Sequence, residues 1–398
     1  MKSSSREKTK LIADLTPPET SPAAELVASN VDLLTQILLR IPAAKTLIRF
    51  KSVSKPWLSL LSDSRFASAH SHSHPNPNPP ISSLYFYYID NLDSVSLNGS
   101  LAFPFLSFLG RCLPGYFVII HSCSGLLLVE RPQFADDRYI VCNPTTQKFR
   151  LLTHPGGGYY TSGCLAFDPS KSPHYKVVLP RPASTPSLEI DIFSSETACW
   201  NKIFLLERCY RDGAFWNGAV YWLCDQYNLL RFDVETEKMI GIPYAESSSR
   251  ILPIDKTRYF GECGHGGRLF LIQSPRVNSV EFEILEMDKD QCRWNVKFRV
   301  DLRPLLSAFP YISAFPDIAG NFYYSAVMCV VEGEKEDDLA LLLAVPDNIV
   351  SYNLQKKTWN VLWESEQHSK EDDFWDPLQI PCDGRNCVFP FAESLSPV

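Results

Sequence analysis

His70, His72 and His74 alternate just ahead of the proline-rich stretch PNPNPP, and three imidazoles so spaced could offer nitrogen ligands to a metal. No cysteine or carboxylate stands close enough to complete a shell, so the segment reads as a solvated linker. Cys382 and Cys387, with Asp383 between them, could form a redox or metal pair, yet two sulfur ligands do not close a zinc site. Gly156-Gly157-Gly158 lacks the following Lys-Ser/Thr, and the helix whose N–H groups would cradle a phosphate, so it reads as a connecting loop. A nucleophile elbow, a His-Glu-x-x-His pair and a P-loop are all missing. The expectation is a chain with no catalytic residue, no metal site and no cofactor.

The remaining polar features read as surface. The acidic run Glu332 to Asp338 sits between two strand-like runs and reads as a solvated hairpin loop, with a site for a basic partner as the alternative. Asn98-Gly99-Ser100 matches a glycosylation sequon but in an intracellular chain would serve as a turn. None of the 12 cysteines forms a Cys-x-x-Cys pair, and Cys142, Cys164, Cys224 and Cys329 fall inside apolar runs, where a buried free thiol is expected. A net charge of −7 argues against binding nucleic acid by bulk electrostatics. Arg40, Lys45, Arg49, Lys51, Lys55 and Arg65 are a local basic excess, read as a solvated helix face. No apolar run is long enough for a membrane span, and the polar start MKSSSREKTK is not a secretory signal. A cytoplasmic or nuclear location is therefore expected, with the thiols reduced.

Two kinds of element must carry whatever function there is. Between Asn30 and Phe66 the chain reads as short helices. Leu33, Leu34, Ile37, Leu38 and Ile41 recur at helical spacing, Ser29 or Asn30 can cap the start, and Pro42 stops the helix. A second helix carries Leu47, Ile48 and Phe50. A third begins near Ser54, with Pro56 tolerated in its first turn and Trp57, Leu58, Leu60 and Leu61 behind it. So small a unit has too little interior for these side chains, and part of that surface should be covered by a partner.

From Ile81 the pattern turns to strands. An apolar strand, a turn rich in Asp, Asn, Thr and Lys, and a large apolar residue opening the next strand recur. The copies are YIVCNPTTQKFRLL, LEIDIFSSETACWNKI, LLRFDVETEKMIGI, VEFEILEMDKDQCRWNVKF and NIVSYNLQKKTWNVLW. Phe149, Trp200, Met239, Trp294 and Trp359 hold the position after the turn, at a period of roughly 50 residues that suits propeller blades. A further strand pair precedes each copy, and Asn217-Gly218 marks a tight hairpin in one of them. These units cover residues 116 to 363. A sixth blade can be built from the strands within 84–110 and the closing segment CVFPFAESL, joining the two ends and protecting open edges. An open sandwich of irregular strands is the alternative.

Asp32 to Pro42 (D-L-L-x-x-I-L-x-R-I-P), Leu47 to Trp57 (L-I-R-F-K-S-V-S-K-P-W) and Leu61 to Phe66 (L-S-D-S-R-F) together resemble a plant F-box. Many F-boxes open with Leu-Pro and an acidic residue, where this chain has Ala28-Ser29-Asn30-Val31. YIVCNPTTQKFRLL, LAFDPSKSPHYKVVL, WNGAVYWL with LLRFDVETEK, and YFGECGHGGRLFLI are similar to the F-box-associated domain of the same proteins, some of which carry kelch-like repeats. A Gly-Gly pair in every blade would mark true kelch repeats, and Gly266-Gly267 is nearly alone.

The resemblance implies a mainly β chain with a small N-terminal α unit: a three-helix F-box followed by a β-propeller of about six blades. The expected divisions are a tail over 1–28, the helical unit over 29–70, a proline-rich linker over 71–80 and the propeller over 81–398. It further implies that the F-box docks a Skp-family adaptor, and through it a cullin-RING ligase. The propeller would hold the protein to be ubiquitinated, and the chain itself would catalyse nothing. Candidate adaptor contacts are Leu33, Leu34, Ile37, Leu38, Ile41, Pro42, Leu47, Phe50, Val53 and Trp57, some of which must instead pack the helices together. The rival is a propeller enzyme or small-ligand binder with an incidental helical extension, which would need carboxylates or histidines converging on a central channel. A basic helical unit touching nucleic acid is a third possibility, marked by steep salt dependence.

Overall fold

Asn30 caps the first helix, its side-chain oxygen accepting from the N–H groups of Asp32 and Leu33 at 3.0 and 3.1 Å. The computed structural model describes residues 26–27, 29–74, 81–88, 91–97, 106–134, 138–153, 163–182, 188–205, 213–224, 229–242, 257–263, 267–274, 280–290, 292–309, 326–332, 338–345, 348–364 and 388–398. Helix α1 (Val31–Leu38) ends ahead of Pro42, and α2 (Ala44–Phe50) follows. Helix α3 (Lys55–Ser62) starts from a Ser54 cap with Pro56 in its first turn.

A fourth helix, α4 (Ser64–Ser73), was not expected, and it overruns the point where the sequence suggests a linker. Asp63 caps it, and Phe66, Ala67 and His70 form its buried stripe. The histidines have structural partners. His70 Nε2 lies 2.8 Å from the Ile41 carbonyl and His74 Nε2 2.6 Å from that of Leu39, carbonyls left without a helical partner where α1 ends. The tail over 1–25 and the proline run over 75–80 lie outside the described residues.

The rest is a six-bladed propeller. β1 (Ser83–Tyr88) and β2 (Asn91–Ser96) come first, then α5 (Ser107–Cys112). The first full blade is β3 (Val118–Cys123), β4 (Leu126–Glu130), β5 (Tyr139–Asn143) and β6 (Lys148–Leu152). The second is β7 (Cys164–Ala166), β8 (Lys176–Pro182), β9 (Leu188–Ser194) and β10 (Cys199–Leu205). The third is β11 (Ala214–Trp216), β12 (Ala219–Leu223), β13 (Leu229–Asp233) and β14 (Lys238–Ile242). β15 (Thr257–Cys263), β16 (Arg268–Gln273), β17 (Glu281–Met287) and β18 (Trp294–Asp301) make the fourth, followed by the short α6 (Arg303–Leu306). The fifth is β19 (Ala326–Glu332), β20 (Leu339–Val345), β21 (Asn348–Asn353) and β22 (Trp359–Glu364), and β23 (Val388–Phe391) closes the ring. Within each of the five four-stranded blades the strands pair antiparallel in chain order.

Local chemistry sets the hairpin between the third and fourth strands. An Asn or Asp oxygen accepts main-chain N–H groups two or three residues ahead: Asn143 from Thr145 and Thr146, Asp233 from Thr236, Asp288 from Asp290, Asn353 from Gln355 and Lys356. Gln147, Ala198, Glu237, Cys292 and Lys357 then take left-handed φ between 50° and 56°, turning the chain into the outer strand. The large apolar residue after each turn sits opposite an apolar neighbour, as in Cys142–Phe149, Phe193–Trp200 and Tyr352–Trp359. Asn217-Gly218, at φ of 49° and 77°, makes the expected tight hairpin.

The ring closes as expected from its two ends. β23 pairs with β1, Phe391 opposite Ser83 and Val388 opposite Phe86, giving the sheet β2-β1-β23. The inner strands β23, β3, β7, β11, β15 and β19 each touch the next around a full circle. β1 is apolar on both faces: Leu84 and Phe86 join the core shared with the fifth blade, and Tyr85 that shared with the first. Among the described residues, no helix is long and apolar enough to cross a membrane.

Candidate functional site

The helical unit divides its apolar residues sharply. On α1, Leu34 and Leu38 are 3% and 1% exposed, whereas Leu33 and Ile37 are 44% and 47% exposed. Residues four apart stack on one stripe, so these two pairs form neighbouring ridges, one turned in and one out. Leu47, Leu61, Phe66 and Ala67 complete the interior with Leu34 and Leu38, and Leu395, from the far end of the chain, joins them.

Of the ten residues expected at a partner surface, Leu34, Leu38 and Leu47 are thus interior. Ile41, Phe50 and Trp57 are half-buried against that interior, Phe50 and Trp57 meeting edge to face at 5.6 Å. Leu33, Ile37, Pro42 and Val53 are exposed. Leu26, Val31 and Leu58 are exposed as well and were not singled out. For Leu58 the signal existed, since Trp57, Leu58, Leu60 and Leu61 span too wide an arc for one buried stripe. What the unit offers is an outward set of branched aliphatic side chains over a finished core, a surface suited to burial against another protein and to no bond-making chemistry.

The central channel holds the other candidate groups. A cavity of about 60 Å³ is lined by residues that include Ile120, His121, Ala214, Glu262 and Phe389 from the inner strands, with Gly213 just ahead of β11. His121 and Glu262 supply its imidazole and carboxylate among the described residues. His121 Nε2 lies 3.5 Å from the Cys164 thiol. Burial holds the His121 imidazole down at about 4, against a smaller upward pull from the Gly213 backbone, so the ring is neutral near pH 7. Burial pushes the nearby Cys123 thiol well above its ordinary value, with the Glu262 charge adding to the effect. A protonated thiol is a poor nucleophile. The cavity itself falls far below the roughly 300–1,000 Å³ of small-molecule sites.

A cleft of about 360 Å³ lies where the third blade meets the fourth, beside Trp216. Three of its charges pair with one another, Arg268 to Glu286 at 2.7 Å and Lys297 to Glu286 at 3.5 Å. Among the described residues no three His, Cys, Asp or Glu side chains gather to hold a metal. Cys382, Asp383, Cys387, Gly156-Gly157-Gly158, most of the acidic run and Asn98-Gly99-Ser100 lie outside the described residues.

Residues 113–368 match the family model of the F-box associated beta propeller domain. The F-box protein At5g07610 of Arabidopsis thaliana is 31% identical, the match covering 89% of this chain and 91% of that protein. The F-box protein At5g49610 of the same plant is 28% identical, over 71% of this chain and 81% of its own length. Among solved structures, the Cps50 (Swd1) β-propeller domain of Myceliophteria thermophila shares 7% identity, with a TM-score of 0.35 over 65% of this chain and 88% of that one.

Proposed function

The chain belongs to the plant F-box proteins that carry an F-box associated beta propeller domain, and from that premise we propose that it is the substrate-recognition subunit of an SCF-type E3 ubiquitin ligase. The helical unit docks a Skp-family adaptor and, through it, a cullin and a RING subunit. The propeller holds the protein to be ubiquitinated, in the cytoplasm or nucleus. Tethering two binding surfaces in one chain raises the effective concentration of cargo beside the transfer machinery, which is the whole contribution of a non-catalytic receptor.

One observation carries the reading: Val31, Leu33, Ile37, Val53 and Leu58 stay exposed although the helical core beneath them is already filled. Exposed aliphatic residues at this density on so small a unit favour a protein partner. The adaptor contacts on this proposal are Leu33, Ile37, Pro42 and Val53, joined by Val31 and Leu58. Leu34, Leu38 and Leu47 act from beneath by holding the ridge in shape, while Ile41, Phe50 and Trp57 flank it.

Co-expression with a Skp-type adaptor tests this. A complex that co-elutes from size exclusion supports it, and a well-folded chain that elutes alone contradicts it. The cargo would be sought by proximity labelling, comparing the intact chain with one lacking residues 30–66.

A further inference from the structure

We propose that Ala392–Val398 is an intramolecular strap that holds the helical unit in one orientation against the first blade. The segment leaves β23 and crosses the turn between β3 and β4. A Cβ at Gly125, the turn's left-handed glycine (φ 78°), would run into the side chain of Ser394 and the carbonyl of Ala392. The strap therefore lies flat on that turn.

Next it is hooked on both sides. The Asn143 side-chain amide donates to the Ser394 carbonyl at 3.1 Å and to the Ser396 carbonyl at 2.9 Å. Thr145 Oγ1 accepts the Ser394 N–H at 3.3 Å. The Ser394 hydroxyl turns to the blade, 3.4 Å from the Asn143 amide nitrogen, while the next residue, Leu395, is buried in the helical core with Leu34, Leu38, Leu47 and Phe66. Val398 packs on the core cluster shared by the first three blades. One short segment thus supplies a side chain to the helices while its main chain is tied to the ring.

The tether depends on an amide. Asn143 holds its own hairpin turn through Oδ1, a task Asp233 and Asp288 perform in other blades, which leaves Nδ2 free for the strap. The seam needs such a hook, since Lys148 lies near enough to Lys51 to add to the effect of burial in lowering the Lys51 ammonium, so charge works against the contact. The strap reaches the helical unit through the buried Leu395, whereas the exposed apolar residues of α1 and α3 lie outside that core cluster, and it stands whether or not the adaptor proposal does. If both hold, cargo and adaptor are kept at one fixed separation.

Spin labels on ketone-bearing residues placed at Arg49 and Lys356, both exposed, leave the native cysteines untouched. Electron–electron distance measurement on the full chain should give one narrow distribution. Asn143→Asp keeps the turn acceptor but sets an anion against two carbonyls, and it should abolish that narrow distribution while the propeller's thermal transition is retained. Deletion of Ser394–Val398, which leaves every strand intact, should do the same and serves if Asn143→Asp does not fold. A parent distribution that is already broad, or variants as narrow as the parent, overturns the proposal. Adaptor binding is not read in this experiment, so its failure and the failure of the ligase reading are separable.

Discussion

The side-chain amide of Asn143, at the end of β5, donates at 2.9 Å to the main-chain oxygen of Ser396, more than two hundred residues away in the chain. Asn143 is wholly buried, and its other amide atom accepts the N–H groups of Thr145 and Thr146. Asn143→Ala should therefore lose a turn and a tether together, at about 3 kcal/mol by the cost of stranding buried polar groups. Asp233→Ala, in the equivalent turn of the third blade, should cost about 1 kcal/mol. Urea denaturation of both variants checks the difference, and equal costs would contradict the role given to Asn143.

Two glycines separate backbone strain from crowding. Gly125 and Gly218 have nearly the same left-handed φ, 78° and 77°, but a Cβ at Gly218 meets only the Lys171 ammonium at 3.7 Å. Gly218→Ala should cost about 1 kcal/mol, the backbone penalty alone. Gly125→Ala must also displace Ser394 and Ala392, and should cost roughly 1–3 kcal/mol more, the range for overpacking. Comparative thermal unfolding reads both values.

His121 should make the ring acid-sensitive. Its folded pKa of about 4 lies below the ordinary 6.5, so between those values the unfolded chain takes up a proton that the native chain refuses. The contribution is complete above pH 6.5 and is lost as pH falls through 4, on the order of 3 kcal/mol in all. His70 shifts downward as well, chiefly through burial, and adds in the same direction. Denaturation at a series of pH values between 7.5 and 4.5 should show stability falling with acid, and His121→Gln should flatten that slope. An unchanged slope in the variant would mean the burial does not act as described.

Phe391 closes the ring from its last strand. It is fully buried and meets Tyr85 edge to face at 5.7 Å. Phe391→Ala should cost roughly 3–5 kcal/mol, as for other buried aromatics. Hydrogen exchange should then quicken first in β1 and β3, the strands that flank β23. Exchange that quickens evenly around the ring would argue against closure at this seam.

How much of this was legible beforehand depends on the range of the interaction involved. The hairpins were open to reading, because Asn217-Gly218 and the turns after Asn143 and Asp233 are decided by residues a few positions apart. Ring closure by CVFPFAESL was also readable, since an unpaired edge demands a partner and few apolar segments remained. Periodicity put Leu33, Leu34, Ile37 and Leu38 on one face, but which ridge turns inward is set by α2 and α4, beyond the reach of an eight-residue helix. α4 itself was missed because three histidines and the prolines behind them suggested solvent, although Phe66, Ala67 and His70 already stood at helical spacing. Leu395 gave no local sign at all, its partners lying over three hundred residues upstream.

The most direct test of the whole account is the affinity of the full chain for a Skp-type adaptor, measured by calorimetry for the parent, Ile37→Asp and Phe204→Asp. Ile37 and Phe204 are both exposed, at 47% and 69%, but Ile37 lies on the proposed docking ridge and Phe204 on the outer strand β10 of the ring. The parent should bind, Ile37→Asp should lose about tenfold or more, roughly 1.4 kcal/mol, and Phe204→Asp should be unaffected. A parent that does not bind, or an Ile37→Asp chain that binds as tightly as the parent, would contradict it.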